Sequence, residues 1–247
     1  MMNFMTTPSF GESSLALAIE TSSALGSVAL GRGQEILDVR RFSKPRAHAL
    51  EFAPAIQSLC DEHGVSPSQV AAVFVSAGPG SFTGLRIGIT AARTLALAVG
   101  AKVVAIPTLE VIAQNALDAS PRPPRVSVVL DAKRARVYTA TFELRSNRYV
   151  GLDEPREADP AAYLAQHPRD CAVLGEGTNY HREAITASGL RVLPEELFAP
   201  RVETVFALGL QRASQNEFLP ARDVTPVYIR LPEAEEVWAA KQGSSRS

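Results

Sequence analysis

A chain of 247 residues with 46% hydrophobic and 21% charged content has the composition of a globular protein, long enough for one large domain or two modest ones. A formal net charge of −1 argues against a free-standing nucleic-acid binder, whose phosphate contacts need a basic surface. Aromatic residues make up only 6%, so the core must be built from Ala, Val, Leu and Ile, which suits mixed or parallel sheets covered by helices. Cys60 and Cys171 lack metal-type spacing and read as reduced thiols of a cytoplasmic protein. Residues 1–11 have neither a basic nor an apolar leader pattern. No later window approaches the roughly 20 apolar residues of a membrane span, so no membrane contact is expected.

In chain order, residues 14–19, 27–30 and 35–42 read as three strands, with Gly31-Arg32-Gly33 as a hairpin signal. Residues 45–63 carry helical spacing in Leu50, Ile56 and Leu59, with Pro54 as an expected kink and Gly64 as the end. A strand over 71–75 runs into Gly78-Pro79-Gly80. A helix then starts with Thr83 as N-cap and repeats Leu85, Ile89, Ala92, Ala96 and Val99 until Gly100 stops it. A strand over 102–106 and a helix over 109–117 precede the Pro121-Arg122-Pro123-Pro124 break, which divides the chain into halves 1–120 and 121–247. Strands over 126–130 and 136–142, joined around Asp131-Ala132-Lys133-Arg134, repeat the opening pattern. A polar, irregular stretch over 143–159 follows, then a helix over 161–166, a strand over 172–175, and helices over 179–187 and 202–216. Two similar halves predict a duplicated α/β fold.

A glycine-rich turn opening a helix presents N–H groups that can hold an anion, which makes Gly78, Gly80, Ser81 and Thr83 candidate nucleotide contacts. The alternative is a tight structural turn. No Lys follows as in a Walker A loop, and the glycines are spaced one residue longer than the dinucleotide fingerprint. Thr21 and Ser22 read as turn formers. His48, His63, His167 and His181 are scattered, and Ser81 has no assignable His–Asp pair, so no catalytic residue and no metal site is assigned. Asp131, ending an apolar strand, either faces a cleft or caps its own turn; Glu176 between two glycines invites the same pair of readings. Lys133-Arg134-Ala135-Arg136 is either a solvated hairpin tip or an RNA contact.

The helix after the glycine turn has a surplus of apolar surface. At about 100° per residue, Arg86, Thr90, Arg93 and Thr94 form one polar stripe and leave an apolar arc of about 200°, roughly twice what a helix lying on a sheet needs. The surplus includes Gly84, Gly88, Ala91 and Ala92, small residues that admit another helix. Either the 50–59 helix of the same chain or a second molecule covers it.

The stretch Ala77-Gly78-Pro79-Gly80-Ser81-Phe82-Thr83-Gly84-Leu85-Arg86-Ile87-Gly88 resembles the signature of the TsaB (YeaZ) family of bacterial tRNA threonylcarbamoyladenosine biosynthesis proteins. The likeness extends to Ala18-Ile19-Glu20-Thr21-Ser22, Asp131-Ala132 with Val137-Tyr138, and Pro226-Val227-Tyr228-Ile229-Arg230-Leu231-Pro232-Glu233-Ala234-Glu235, nearly the whole chain. It implies a duplicated actin-like ATPase (ASKHA) fold with mixed sheets flanked by helices. In that fold the first loop would usually offer an Asp and close glycines to a nucleotide; here Glu20 stands instead and no glycine comes before Gly26. Alignment with the catalytic paralogue TsaD puts Thr108 and Ile112 where that family has two metal-binding histidines.

The resemblance therefore implies a non-catalytic subunit. It would support a TsaD-like catalytic subunit, together with a TsaE-like ATPase, in threonylcarbamoyl transfer to N6 of adenosine 37 of tRNA. It implies a homodimer in isolation, exchanged for a heterodimer with the partner through Leu50, Gly84, Leu85, Gly88, Ile89, Ala91, Ala92 and Leu95. No cofactor is expected on this chain alone, ATP or ADP belongs to the assembled complex, and tRNA is reached only indirectly. The competing readings are an actin-like enzyme, either a small-molecule kinase or a glycoprotease, and an independent nucleotide-binding regulator.

Overall fold

The computed structural model describes residues 11, 13–45 and 47–230. The leader reading of residues 1–10 and the matched residues 231–235 lie outside these. The strands form two sheets. In the first, β1 (Leu15–Glu20), β2 (Ser27–Arg32), β3 (Glu35–Arg41), β4 (Val70–Gly78) and β5 (Lys102–Pro107) run in the order β3-β2-β1-β4-β5. The meander β1–β2–β3 is antiparallel, and β4 and β5 add on in parallel after helical crossovers. Those crossovers hold α1 (His48–Glu62, with Pro54 inside it) and α2 (Phe82–Val99).

The second sheet repeats the plan. Its members β6 (Arg125–Asp131), β7 (Val137–Arg145), β8 (Arg148–Gly151), β10 (Cys171–Leu174) and β11 (Arg191–Val192) lie in the order β11-β10-β6-β7-β8, and β9 (Arg156–Ala158) pairs with β7. Again the first two neighbours are antiparallel and the later two join in parallel. Short helices α4 (Pro160–Leu164) and α5 (Arg182–Ser188) occupy the crossovers. This matching order in both halves is the duplicated actin-like ATPase fold.

Alternation along β1 and β4 explains the layers. Leu17, Ile19, Val73 and Val75 face one way and form a cluster with Ile89, Ala92 and Ala96 of α2 and Leu59 of α1. Ala16, Ala18, Ala72 and Phe74 face the other way. There they meet α6 (Val202–Ser214), whose Phe206 ring lies 5.9 Å from that of Phe74. Small residues on that face of the sheet leave room for the two rings, and a Cβ on Gly209 would strike Phe74.

A division at residue 121 separates the strands of the two sheets but not the helices between them. Helix α6 follows the second sheet in sequence and packs on the first. Helix α3 (Thr108–Gln114) precedes the division and joins both sides: Leu109 and Ile112 pack on β6, while Val111 enters the Phe206 cluster. Glu110 fixes this layer, accepting from Arg148 of β8 and Arg212 of α6, each at 2.5 Å.

Several local expectations are corrected. Ser81, not Thr83, caps α2, its hydroxyl accepting from the Gly84 N–H at 3.2 Å. The stretch 143–159 is not irregular: Ser146 and Asn147, both at positive φ, make a two-residue hairpin turn from β7 to β8, and β9 follows. Helix α2, at 18 residues, is by length and composition long and apolar enough to cross a membrane, contrary to the expectation that no window approaches this. Its buried face lies on β1 and β4.

Because Phe206 is 2% exposed and fills the space over β1 and β4, Phe206→Ala is expected to cost about 3–5 kcal/mol. Urea denaturation of the two proteins measures this directly.

Candidate functional site

The parallel pairing of β1 and β4 brings the first loop beside the glycine turn. Glu20 ends β1 with its side chain fully buried. One carboxyl oxygen accepts from the Ser22 N–H at 2.7 Å and the Ser22 hydroxyl at 2.6 Å, and the other meets the Ser76 hydroxyl of β4. Burial pushes the Glu20 pKa up, with the hydrogen bonds from Ser22 and Ser76 opposing.

The next two residues lie along α2. The Thr21 hydroxyl donates to the Gly84 carbonyl at 2.8 Å, and the Ser81 N–H donates to the Ser22 carbonyl at 2.7 Å. A Cβ at Gly80 would overlap the Ser22 carbonyl, one at Gly84 the Thr21 carbonyl, and one at Gly88 the Thr21 hydroxyl. Spaced four apart, these glycines form a groove filled by the chain's own first loop.

Gly78 sits at φ +112°, a conformation that favours glycine, between Thr108 and residue 227. Its N–H donates to the Thr108 hydroxyl at 3.2 Å. Of the candidate nucleotide contacts, Gly78, Gly80 and Ser81 lie in the turn and engage their own chain, whereas Thr83 is exposed in the first turn of α2.

The partner-binding set is divided by the structure. Leu50 is 81% exposed, and Ala91 and Leu95 are half-buried. Gly84, Leu85, Gly88, Ile89 and Ala92 are buried within the monomer, so their placement on an outer seam is corrected: they face β1, β4 and the first loop. Phe52, Ile56 and Leu59 of α1, with Ala221 and Val224, share the same cluster, which is why the wide apolar arc has little left over. Leu97, which is not in that set, is 70% exposed. It follows Arg86 by three turns, so it sits inside the polar stripe, and that offset was the available signal.

The duplicated second loop is built differently. Asp131 ends β6 as Glu20 ends β1, and Gly175, also at φ +112°, takes the place of Gly78. The Asp131 carboxylate accepts from the Lys133 N–H at 3.1 Å and its ammonium at 2.6 Å, while the Asp131 N–H donates to Glu176 at 3.1 Å. His181 Nε2 lies 3.4 Å away, within ion-pair range. Burial works against ionisation of Asp131, but the Lys133 contacts outweigh it and hold its pKa below the usual value; burial pushes that of Glu176 up. Asp131 thus acts as a turn cap. Lys133, Arg134 and Ala135 all adopt positive φ, and in the basic cluster Lys133 pairs with Asp131 and Arg136 with Glu157.

The remaining histidines hold structure. His48, 3% exposed, meets the Ser23 carbonyl at 3.0 Å; His63 lies 3.4 Å from Asp38; His167 contacts the Tyr163 carbonyl at 2.9 Å. Thr108 and Ile112 are buried in α3. Among the described residues, no group of three His, Cys, Asp or Glu side chains is arranged to hold a metal ion.

Gly80 lies outside the left-handed region, so its need for glycine comes from close approach. Gly80→Ala and Gly84→Ala are each expected to destabilise by about 1–3 kcal/mol, although alanine is intrinsically the better helix former at position 84. Urea midpoints check this; an unchanged midpoint at Gly84→Ala would show that the loop yields.

Glu20, whose folded pKa is raised, contributes stability that is full below its unfolded pKa and lost as pH rises through the folded value. Glu20→Gln cannot ionise, so its stability relative to the parent should improve steadily from acidic to neutral pH. Denaturation curves across that range measure the difference, and a difference independent of pH would contradict the assignment.

Comparison with known proteins places this architecture. Residues 43–238 match the family model described as TsaD, tRNA N6-adenosine threonylcarbamoyltransferase. The tRNA threonylcarbamoyladenosine biosynthesis protein TsaB of Bacillus subtilis is 29% identical over 92% of this chain and 98% of its own. TsaB of Escherichia coli is 28% identical over 87% and 94%. The solved structure of YeaZ from Pseudomonas aeruginosa superposes with a TM-score of 0.75 at 28% identity, covering 87% of this chain and all of that one. The chain therefore belongs to the TsaD threonylcarbamoyltransferase family, as a protein of its TsaB (YeaZ) type.

Proposed function

We propose that this chain is a non-catalytic subunit in the synthesis of tRNA N6-threonylcarbamoyladenosine. Its relatives from Bacillus subtilis and Escherichia coli carry that pathway in their names. The observation that carries the non-catalytic part is the state of Thr108 and Ile112. Where the catalytic paralogue would offer two imidazoles, this chain has a buried hydroxyl that accepts from the Gly78 N–H and a buried aliphatic side chain packed on β6. Neither can act as a metal ligand in place of histidine.

In this reading the protein works by assembly in the cytoplasm. It pairs with itself in isolation and with a TsaD-like catalytic subunit when that is present, and a TsaE-like ATPase joins them. Nucleotide belongs to the assembled complex, and tRNA is reached through the partner. The exposed side chains of the two outer helices, Leu50 on α1 and Leu97 on α2, with half-buried Ala91 and Leu95, are the surface proposed for both pairings.

Leu50→Arg and Leu97→Arg should leave the melting temperature within a degree or two while weakening self-association and capture of the TsaD-like protein by about tenfold or more, near 1.4 kcal/mol. Sedimentation and co-purification with the TsaD-like protein of the native cell read both. Folded variants that stay dimeric and bind that protein as before would mean that another surface is used.

A further inference from the structure

The last described segment, residues 224–230, crosses from the loops of one half to those of the other. Val224 is buried in the cluster beneath α2. The Val227 N–H donates to the Ala77 carbonyl at 2.7 Å, and its backbone lies so close to Gly78 that a Cβ there would stand 2.8 Å from the Val227 oxygen. The Tyr228 ring packs on Phe82 with centroids 5.5 Å apart, and its hydroxyl accepts from Arg86 at 3.3 Å; the Arg86 guanidinium in turn lies 4.1 Å over Phe82. All these partners belong to the glycine turn or the start of α2.

Two residues later the anchors change sides. Arg230 donates to the Ala132 carbonyl at 2.8 Å and reaches Glu157 at 3.4 Å. Ala132 sits in the Asp131 loop, and Glu157 on β9 also holds Arg136, which closes the left-handed turn. The span between Val227 and Arg230 is only three residues, about 10 Å of chain at most, so little slack separates the two anchorages.

We infer that residues 224–230 are a clasp that fastens the glycine turn of the first half to the Asp131 loop of the second. The segment has no strand or helix of its own, follows the 3-10 turn at Ala221–Asp223 and is held by a few discrete bonds, so it can release locally without unfolding either sheet. While it is closed, its backbone covers Gly78, and any group approaching that face of the turn must displace it. Release at one end slackens the other, because the short tether transmits the constraint.

The test is backbone hydrogen exchange, followed by mass spectrometry on the full-length chain. Arg230→Gln cuts the second-half anchor, and it should speed exchange at residues 77–80 of the first half by about tenfold. Val227→Pro removes the donor at the first-half anchor and should speed exchange at residues 131–136 by a similar factor. If Val227→Pro does not melt cooperatively, Tyr228→Ala loosens the same anchor through Phe82 and Arg86, with the same expected result. Exchange that rises only beside the altered anchor, or at neither loop, overturns the clasp.

Discussion

The contact on which the rest depends is the approach of the Thr21-Ser22 backbone to the glycine row of α2. No side chain separates the two, so the loop comes in until the Ser22 carbonyl meets the Ser81 N–H and the Thr21 hydroxyl meets the Gly84 carbonyl. That approach sets the height of α2 over the sheet and seals Glu20 beneath the loop. A carboxyl taken wholly out of water is costly unless it is hydrogen-bonded, and here three donors from Ser22 and Ser76 surround it. Gly78, held by Thr108 on one side and residue 227 on the other, connects the arrangement to α3 and to the end of the described chain.

Duplication makes the two loops a natural comparison. Glu20 and Asp131 end corresponding strands, and each is followed by a tight turn opposite a glycine at the same φ. Their environments push in opposite directions: Glu20 is enclosed by neutral hydroxyls and shifts up, whereas Asp131 faces an ammonium and shifts down. One plan has thus produced a dry, closed loop in the first half and a charged, left-handed one in the second.

Much of this was legible in the residues. Strands β1, β4, β6 and β10 are buried on both faces and so read as largely apolar runs, and the glycine turn announces α2. Other features were not. Periodicity shows which residues are apolar but not which layer covers them. Because α2 is enclosed by the sheet, by α1 and by residues 221–224, it needs a wider apolar arc than a helix resting on a sheet alone, and pattern alone does not show that Gly84, Gly88 and Ala92 lie inside. The exchange of α3 and α6 between sheets leaves no mark in local pattern. The β8 and β9 strands are short and polar at the sheet margin; the Ser146-Asn147 turn was the overlooked sign of the first.

The burial of α3 has an evolutionary consequence. Placing histidines at positions 108 and 112 would demand more than two codon changes, because Thr108 holds the Gly78 N–H and Ile112 fills space against β6. An imidazole at 112 would enter a packed aliphatic core, and one at 108 would have to reproduce a short hydroxyl's reach. Each such substitution alone would be selected against for its effect on folding before it could contribute any chemistry. Positions 108 and 112 are in that sense entrenched: the interior is packed around the residues they hold, and a path to histidine at both crosses a fitness valley.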